Sequence, residues 1–236
     1  MKAPAFYAVT GSKTGDLWAL VHPPYTAWHL SHVALGAAIA PTIDWLILAG
    51  TLTAFLFGLG IGAHALDELH GRPLRTSLSR RFLWGLGIGG MLAALAVAIA
   101  GAQMISPWVM GWAAVGVALA VGYAFERPRQ LHTPLGFALA WGAFPTLVGY
   151  WAQTRTLTLP VLLVATAMTL FSLAQRALST PARNVRRTVE RAELILHRDT
   201  STETWAEPQI LDSWERPLKL LSTAIVILAL GLLLTR

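Results

Sequence analysis

Apolar residues in this chain come in long blocks with almost no charge between their ends. The blocks fall at about residues 25–39, 44–66, 82–101, 107–125, 134–151, 159–177 and 218–235, and the segments between them hold nearly all the ionisable residues. Each is near the roughly 20 residues that cross a bilayer as a helix. A soluble helix needs a polar face, and several of these runs have none. A transmembrane β-barrel needs segments of about ten alternating residues, which do not occur here. The pattern predicts an all-α polytopic transmembrane bundle of about seven spans. The first run is short and polar, with His29 and His32 one turn apart. The paired prolines Pro23 and Pro24 suit the start of that helix, and Pro41 with Asp44 marks a turn before the next. Gly58, Gly60 and Gly62 in the second span, and Gly85, Gly89 and Gly90 in the third, predict close helix packing.

The pattern divides the chain into an N-terminal segment (1–24), a bundle carrying the candidate site (25–177), a polar segment (178–217) and a last span (218–236). The N-terminal segment has no apolar core behind its basic start, unlike a cleavable signal peptide. In the polar segment, Val185, Val189, Ala192 and Leu196 form one stripe, which predicts an amphipathic helix over 184–198. It would lie on the membrane surface or act as a lid. Residues 200–212 read as a loop.

Composition agrees: 55% of the residues are hydrophobic and 13% charged, against roughly a quarter charged in soluble domains. There is no cysteine, so disulfides and thiolate chemistry are excluded, and any metal must use His or oxygen ligands. The net charge of +6 is a topology signal and not a nucleic-acid footprint. With the N-terminus inside, sixteen of the eighteen Lys and Arg fall on the inner side and only Arg155 and Arg236 outside. The positive-inside rule then predicts a cytoplasmic N-terminus. The expected setting is a prokaryotic plasma membrane, with membrane lipids as partners.

The most chemically loaded stretch is 62–75, at the inner end of the second span. His64, Asp67 and Glu68 stand at i, i+3 and i+4 on one helix face. Ionisable groups at such a depth point to function by default. Asp67 and Glu68, with His64, are candidate Mg²⁺ ligands and candidate catalytic residues, because Mg²⁺ takes a few carboxylates plus substrate phosphates. Arg72 and Arg75, with Arg80 and Arg81 beyond, suit phosphate oxygens. Tyr123, Arg127 and Arg129, beside Glu126, lie at the same end and could add to that clamp. So could Gln175 and Arg176, with Ser172, Ser179 and Arg183 at helical spacing. The plainer alternative for each group is an interfacial helix end paired with its own loop. His29, His32, His64 and Asp67 could instead form a transition-metal site. Trp108, Trp112, Trp151 and Trp214 read as an aromatic belt, and Phe137, Trp141 and Phe144 could line a channel for an isoprenoid chain.

In layout the chain resembles the UbiA superfamily of intramembrane prenyltransferases over residues 20–180. The resemblance rests on the lead-in His22-Pro23-Pro24, on Asp67 closing the second span, and on Arg72-Pro73-Leu74 after it. It also rests on the segment from Tyr123 to Arg129 followed by Pro134-Leu135-Gly136 and Trp141-Gly142-Ala143-Phe144. It implies Mg²⁺-dependent transfer of a prenyl group from a prenyl diphosphate to a lipidic or aromatic acceptor. The chain departs from the family pattern. Ala63 and His64 stand where Asn and Asp are usual, residues 171–179 lack the second Asp-rich motif, and there are about seven spans where nine are usual. A non-catalytic relative that binds a lipid, quinone or pigment, and a metal-dependent membrane hydrolase, are the alternatives.

Overall fold

A computed structural model describes residues 2–9 and 12–236. Among the described residues the regular structure is helical apart from one hairpin. Helix α1 covers Lys13–Leu20 and α2 Pro23–Ala38. Helix α3, Trp45–Phe55, runs through a π-helical stretch, Leu56–Ala63, into α4, His64–Leu69. Next come α5, Arg80–Met104, and α6, Val109–Ala124. Helix α7, Pro134–Ala138, passes through a second π stretch, Leu139–Ala143, into α8, Phe144–Thr154. Helix α9 is Leu159–Thr188, β1 is Glu193–His197, β2 is Thr202–Ala206 and α10 is Glu207–Leu233.

Five of these helical rods are long and apolar enough to cross a membrane: Trp45–Leu69, Arg80–Met104, Pro134–Thr154, Leu159–Thr188 and Glu207–Leu233. They mark an integral membrane protein. Large apolar side chains such as Leu46, Leu92, Leu163 and Leu230 stay exposed on their outer faces, as lipid contact requires. Helix α6 is shorter. Helix α2 spans 16 residues, and most of them are buried among α8, α10 and α3. A helix wrapped by protein can carry the His and Ser residues that a lipid-facing helix cannot.

Two crossings are built backbone against backbone. A Cβ on Gly36 of α2 would lie 2.0 Å from the Thr146 carbonyl oxygen, and one on Gly149 of α8 would lie 2.1 Å from that of Val33. A Cβ on Gly90 of α5 would meet the Phe57 carbonyl oxygen at 2.7 Å, against the first π stretch. Side chains supply several caps. Asp44 accepts from the Leu46 and Ile47 amides, Ser79 from Phe82 and Thr133 from Gly136, each satisfying otherwise unpaired N–H groups of a first turn.

The polar segment 178–217 differs from its expected form. Helix α9 continues to Thr188 and α10 begins at Glu207, so both helices project past the apolar zone. Val185 stays on α9, packed with Ala182 against Leu211, and a bidentate pair between Arg186 and Glu215 ties the two extensions. Val189 is extended, which ends the helix. Leu194 and Leu196 then alternate along β1, opposite Trp205 and Glu203 of β2. The expected amphipathic helix over 184–198 and the loop over 200–212 are therefore replaced by a helix end, a hairpin and a helix start. The short run Leu194-Ile195-Leu196 suits a strand as well as the helical stripe, and pairing with 202–206 decides the contest.

Candidate functional site

The loop after α4 shows why the two carboxylates of the motif differ. Glu68 is fully buried and both of its oxygens are spent on the loop. Oε2 accepts from the Leu74 amide at 2.9 Å, and Oε1 accepts from the amide and hydroxyl of Thr76, each at 2.9 Å. Arg72 reinforces the same loop: its Nη1 donates to the Thr76 and Leu78 carbonyls, both at 2.9 Å. Gly71, Arg72 and Arg75 all take positive φ here, a backbone shape that needs such support. Asp16 of α1 accepts from the Ser77 amide and hydroxyl from the other side. Glu68 and Arg72, expected at a metal and a diphosphate, thus serve first to hold this loop.

Asp67 faces the other way. Among the described residues it forms no hydrogen bond and no ion pair. The charges acting on it most strongly are Arg187 and then Arg183, on the last turns of α9. Arg75, exposed on the loop, donates to the Arg187 carbonyl at 2.7 Å, so loop and α9 meet here. His64 joins this pocket by stacking on His22, with ring centroids 4.3 Å apart. The Tyr7 hydroxyl lies 2.6 Å from His22 Nδ1, and the Tyr7 ring meets Tyr25 edge-on at 5.7 Å. Burial pushes the Tyr7 phenol well above its ordinary value, which keeps it protonated and able to donate to His22. Burial, with His64 and the two arginines adding to it, pushes His22 well below its own. The pocket is roofed by the N-terminal segment: Pro4 is buried, its carbonyl accepts from Arg187 Nε at 3.2 Å, and Lys2 donates to the Val189 and Glu190 carbonyls.

Tyr123, at the end of α6, forms the far wall. It stacks on His132 at 4.2 Å, meets Trp141 edge-on at 5.5 Å, and accepts from Arg176 at 3.2 Å. Arg176 also donates to the His132 carbonyl at 2.6 Å and lies over the Phe137 ring. Arg127 and Arg129 are exposed on the loop below, while Gln175 is buried on α9. Behind Trp141 the chemistry changes. An apolar cavity of about 330 Å³ lies between α3 with its π stretch, α5, α6 and α8, walled by residues such as Leu59, Met91, Ala120, Trp112 and Phe144. Its size falls within the roughly 300–1,000 Å³ of small-molecule sites.

His29 and His32 are not gathered with Asp67. Both present Nδ1 to the Trp141 carbonyl, at 3.1 and 3.0 Å. In an α-helix that carbonyl would accept from the residue four positions on, which is Pro145 and has no N–H. Among the described residues no three His, Asp or Glu side chains come together as a metal site. Among the described residues Asp67 offers unused carboxylate oxygens, and Glu126, exposed on the next loop, acts on it electrostatically; such a donor set fits Mg²⁺ only with substrate phosphates and water completing the shell.

The structure therefore brings Asp67, His64, Tyr123 and Arg176 into one polar cluster at the basic end of the bundle, with Arg75 at its edge, and engages Glu68 and Arg72 in the loop. Sequence reasoning missed Tyr7, His22, Tyr25 and Arg187. One signal was present: His22, Tyr25, His29 and His32 recur every three or four residues through a run too polar to face lipid. Comparison of this chain with family models, with curated proteins and with solved structures gave no match.

Proposed function

We propose that this protein is a UbiA-like intramembrane transferase that moves a prenyl group from a prenyl diphosphate to a lipidic or aromatic acceptor. The observation that carries the reading is the juxtaposition at Trp141. On one side lies an apolar cavity, and on the other a polar cluster that holds Asp67 and several arginines. That is the shape of an amphiphile with an apolar chain and an anionic head. Arg176, Arg183 and Arg187 would take the head, with Tyr123 hydrogen-bonding beside them. Asp67 would hold Mg²⁺, which when bound neutralises diphosphate charge. As the carbon–oxygen bond to diphosphate breaks, the arginines stabilise the charge gathering on the leaving group. The aromatic faces of Trp141 and Tyr123 shield the allylic cation until the acceptor attacks it and loses a proton.

One observation favours the second reading, a non-catalytic protein that binds a lipid, quinone or pigment. Opposite Asp67, α9 presents Gln175, Arg176, Arg183 and Arg187 and no carboxylate. The hydrolase reading gains nothing, because the two histidines of α2 turn their Nδ1 atoms to a backbone carbonyl.

Calorimetric titration of Mg²⁺ with a prenyl diphosphate analogue, on wild type beside Asp67→Ala, separates the two readings. The transferase reading expects metal-dependent binding weakened at least about tenfold in the variant, or about 1.4 kcal/mol, with an unchanged melting temperature. Equal binding in both proteins would remove Asp67 from the site. No binding in either, with a co-purifying lipid or pigment, would favour the second reading.

A further inference from the structure

Above the polar pocket, toward the middle of the bundle, three buried side-chain atoms have no hydrogen-bond partner among the described residues: His32 Nε2, Ser172 Oγ and Gln175 Oε1. Their residues are 0%, 0% and 4% exposed. Native interiors leave few such groups unmatched, and each asks for an explanation. These belong to one place. Ser172 Oγ lies 2.7 Å from where a Cβ on Gly142 would stand, and Gly142 follows Trp141, whose carbonyl engages His29 and His32. Gln175 is one turn along α9 from Ser172, toward the basic end, and Ser179 follows beside Tyr25 of α2. A polar seam thus runs between α2, α9 and the second π stretch, from the pocket at Asp67 inward. It stops where Leu35 and Met168 close the core.

The atoms on offer define the guest. A carbonyl oxygen only accepts, so the Nδ1 atoms facing Trp141 carry the hydrogens. In an uncharged imidazole Nε2 is then an acceptor. A charged ring would need a counter-ion at this depth, and no ion pair is made by His32 among the described residues. Gln175 Oε1 also accepts, and Ser172 Oγ can do either. Two of the three unmatched atoms are therefore acceptors, the third can accept, and none carries a charge. We propose that its inner end is a binding site for uncharged O–H donors, filled by water or by the hydroxyl of a bound lipid. The seam makes the site continuous with the polar pocket whether or not that pocket transfers prenyl groups.

The chain has no cysteine, so single cysteines report accessibility without background. A thiol buried in apolar surroundings is inert, because its thiolate is disfavoured there. Ser172→Cys and Gln175→Cys would each be treated with 2-aminoethyl methanethiosulfonate in delipidated, detergent-solubilised protein. Ala165→Cys is the reference, a buried position on the same helix two turns deeper. Both test positions are expected to react on the order of tenfold faster than the reference. A rate unchanged after adding monoolein, an uncharged hydroxyl-bearing lipid, assigns the site to water. A rate suppressed by monoolein and restored on delipidation assigns it to a lipid hydroxyl. Rates at both positions no faster than at Ala165→Cys, in protein with wild-type melting behaviour, overturn the proposal. Using two positions guards against one substitution failing to fold.

Discussion

Removing the Glu68 carboxylate would strand three donors at once: the Leu74 amide, the Thr76 amide and the Thr76 hydroxyl. Each buried donor left unpaired costs about 1–3 kcal/mol, and the positive-φ residues Arg72 and Arg75 would lose the scaffold that holds them. Glu68→Ala should therefore lower stability by at least about 2 kcal/mol, a drop of about 4–8 °C in melting temperature for a chain of this size. Asp67→Ala should leave the melting temperature where it is, since no hydrogen bond or ion pair is lost among the described residues. Thermal unfolding in one detergent compares the two, and an equal drop in both would sink the division of roles. That division was not legible in the sequence. Helical spacing puts His64, Asp67 and Glu68 on one broad face, and a face resolves neighbours only to about 100° of rotation. The separation arises because the chain turns back after Leu69 and lays Leu74 and Thr76 against one side of that face. The loop role of Arg72 was not legible either: its charge points to phosphate, while the turn that brings the Thr76 and Leu78 carbonyls to its Nη1 is set by the fold.

Helix packing has its tightest point where α2 crosses α8. Gly36 and Gly149 face each other's backbones there, and a methyl group at either would stand about 2 Å from a carbonyl oxygen. Neither backbone can yield without moving a whole helix, so Gly149→Ala should destabilise by about 1–3 kcal/mol, read as a lower melting temperature and a smaller monodisperse fraction. Gly85→Ala on α5 is the control. No atom lies within 4 Å of its would-be Cβ, and alanine in a helix is favoured over glycine by roughly 0.5–1 kcal/mol. A tolerant Gly149 would mean that the two helices are not locked together as the structure has them. At this scale the sequence was readable where it spoke locally. Asp44 and the prolines at 23, 24 and 134 mark helix starts, and the long apolar runs mark the rods. It misled where tertiary contacts overrode local pattern. Val185 joins α9 because Leu211 covers it, Glu215 draws α10 eleven residues ahead of the expected start at Leu218 by pairing with Arg186, and residues 193–197 become a strand because 202–206 lie alongside.

The charges of the whole molecule gather at one end. Contacts there join segments far apart in sequence: Arg75 reaches Arg187, Arg176 reaches His132, and Lys2 reaches Val189. Arg155 sits at the other end, donating to the Ile105 carbonyl. The positive-inside rule leads us to propose that this basic end faces the cytoplasm. Whether the chain ends lie together or apart depends on the two helices too short to count on length alone. Helix α2 has 16 residues, about 24 Å at 1.5 Å per residue, against a hydrocarbon core of about 30 Å. It nonetheless begins beside Ser179 at the basic end and leads into Ala40, packed on Tyr150 and Val161 at the opposite end. Helix α6 likewise starts near Trp151 and finishes at Arg176. We propose that both traverse the bundle with the five longer rods, which makes the number of traverses odd. In a bacterial inner membrane, alkaline phosphatase fused after Arg236 should be active and green fluorescent protein fused there dark, while the same pair inserted at Gln130 should report the reverse. Matching signals at the two sites would mean that one short helix folds back without crossing. A uniform reversal would keep the fold but place the arginine-rich pocket outside, where a cytoplasmic prenyl diphosphate could not reach it.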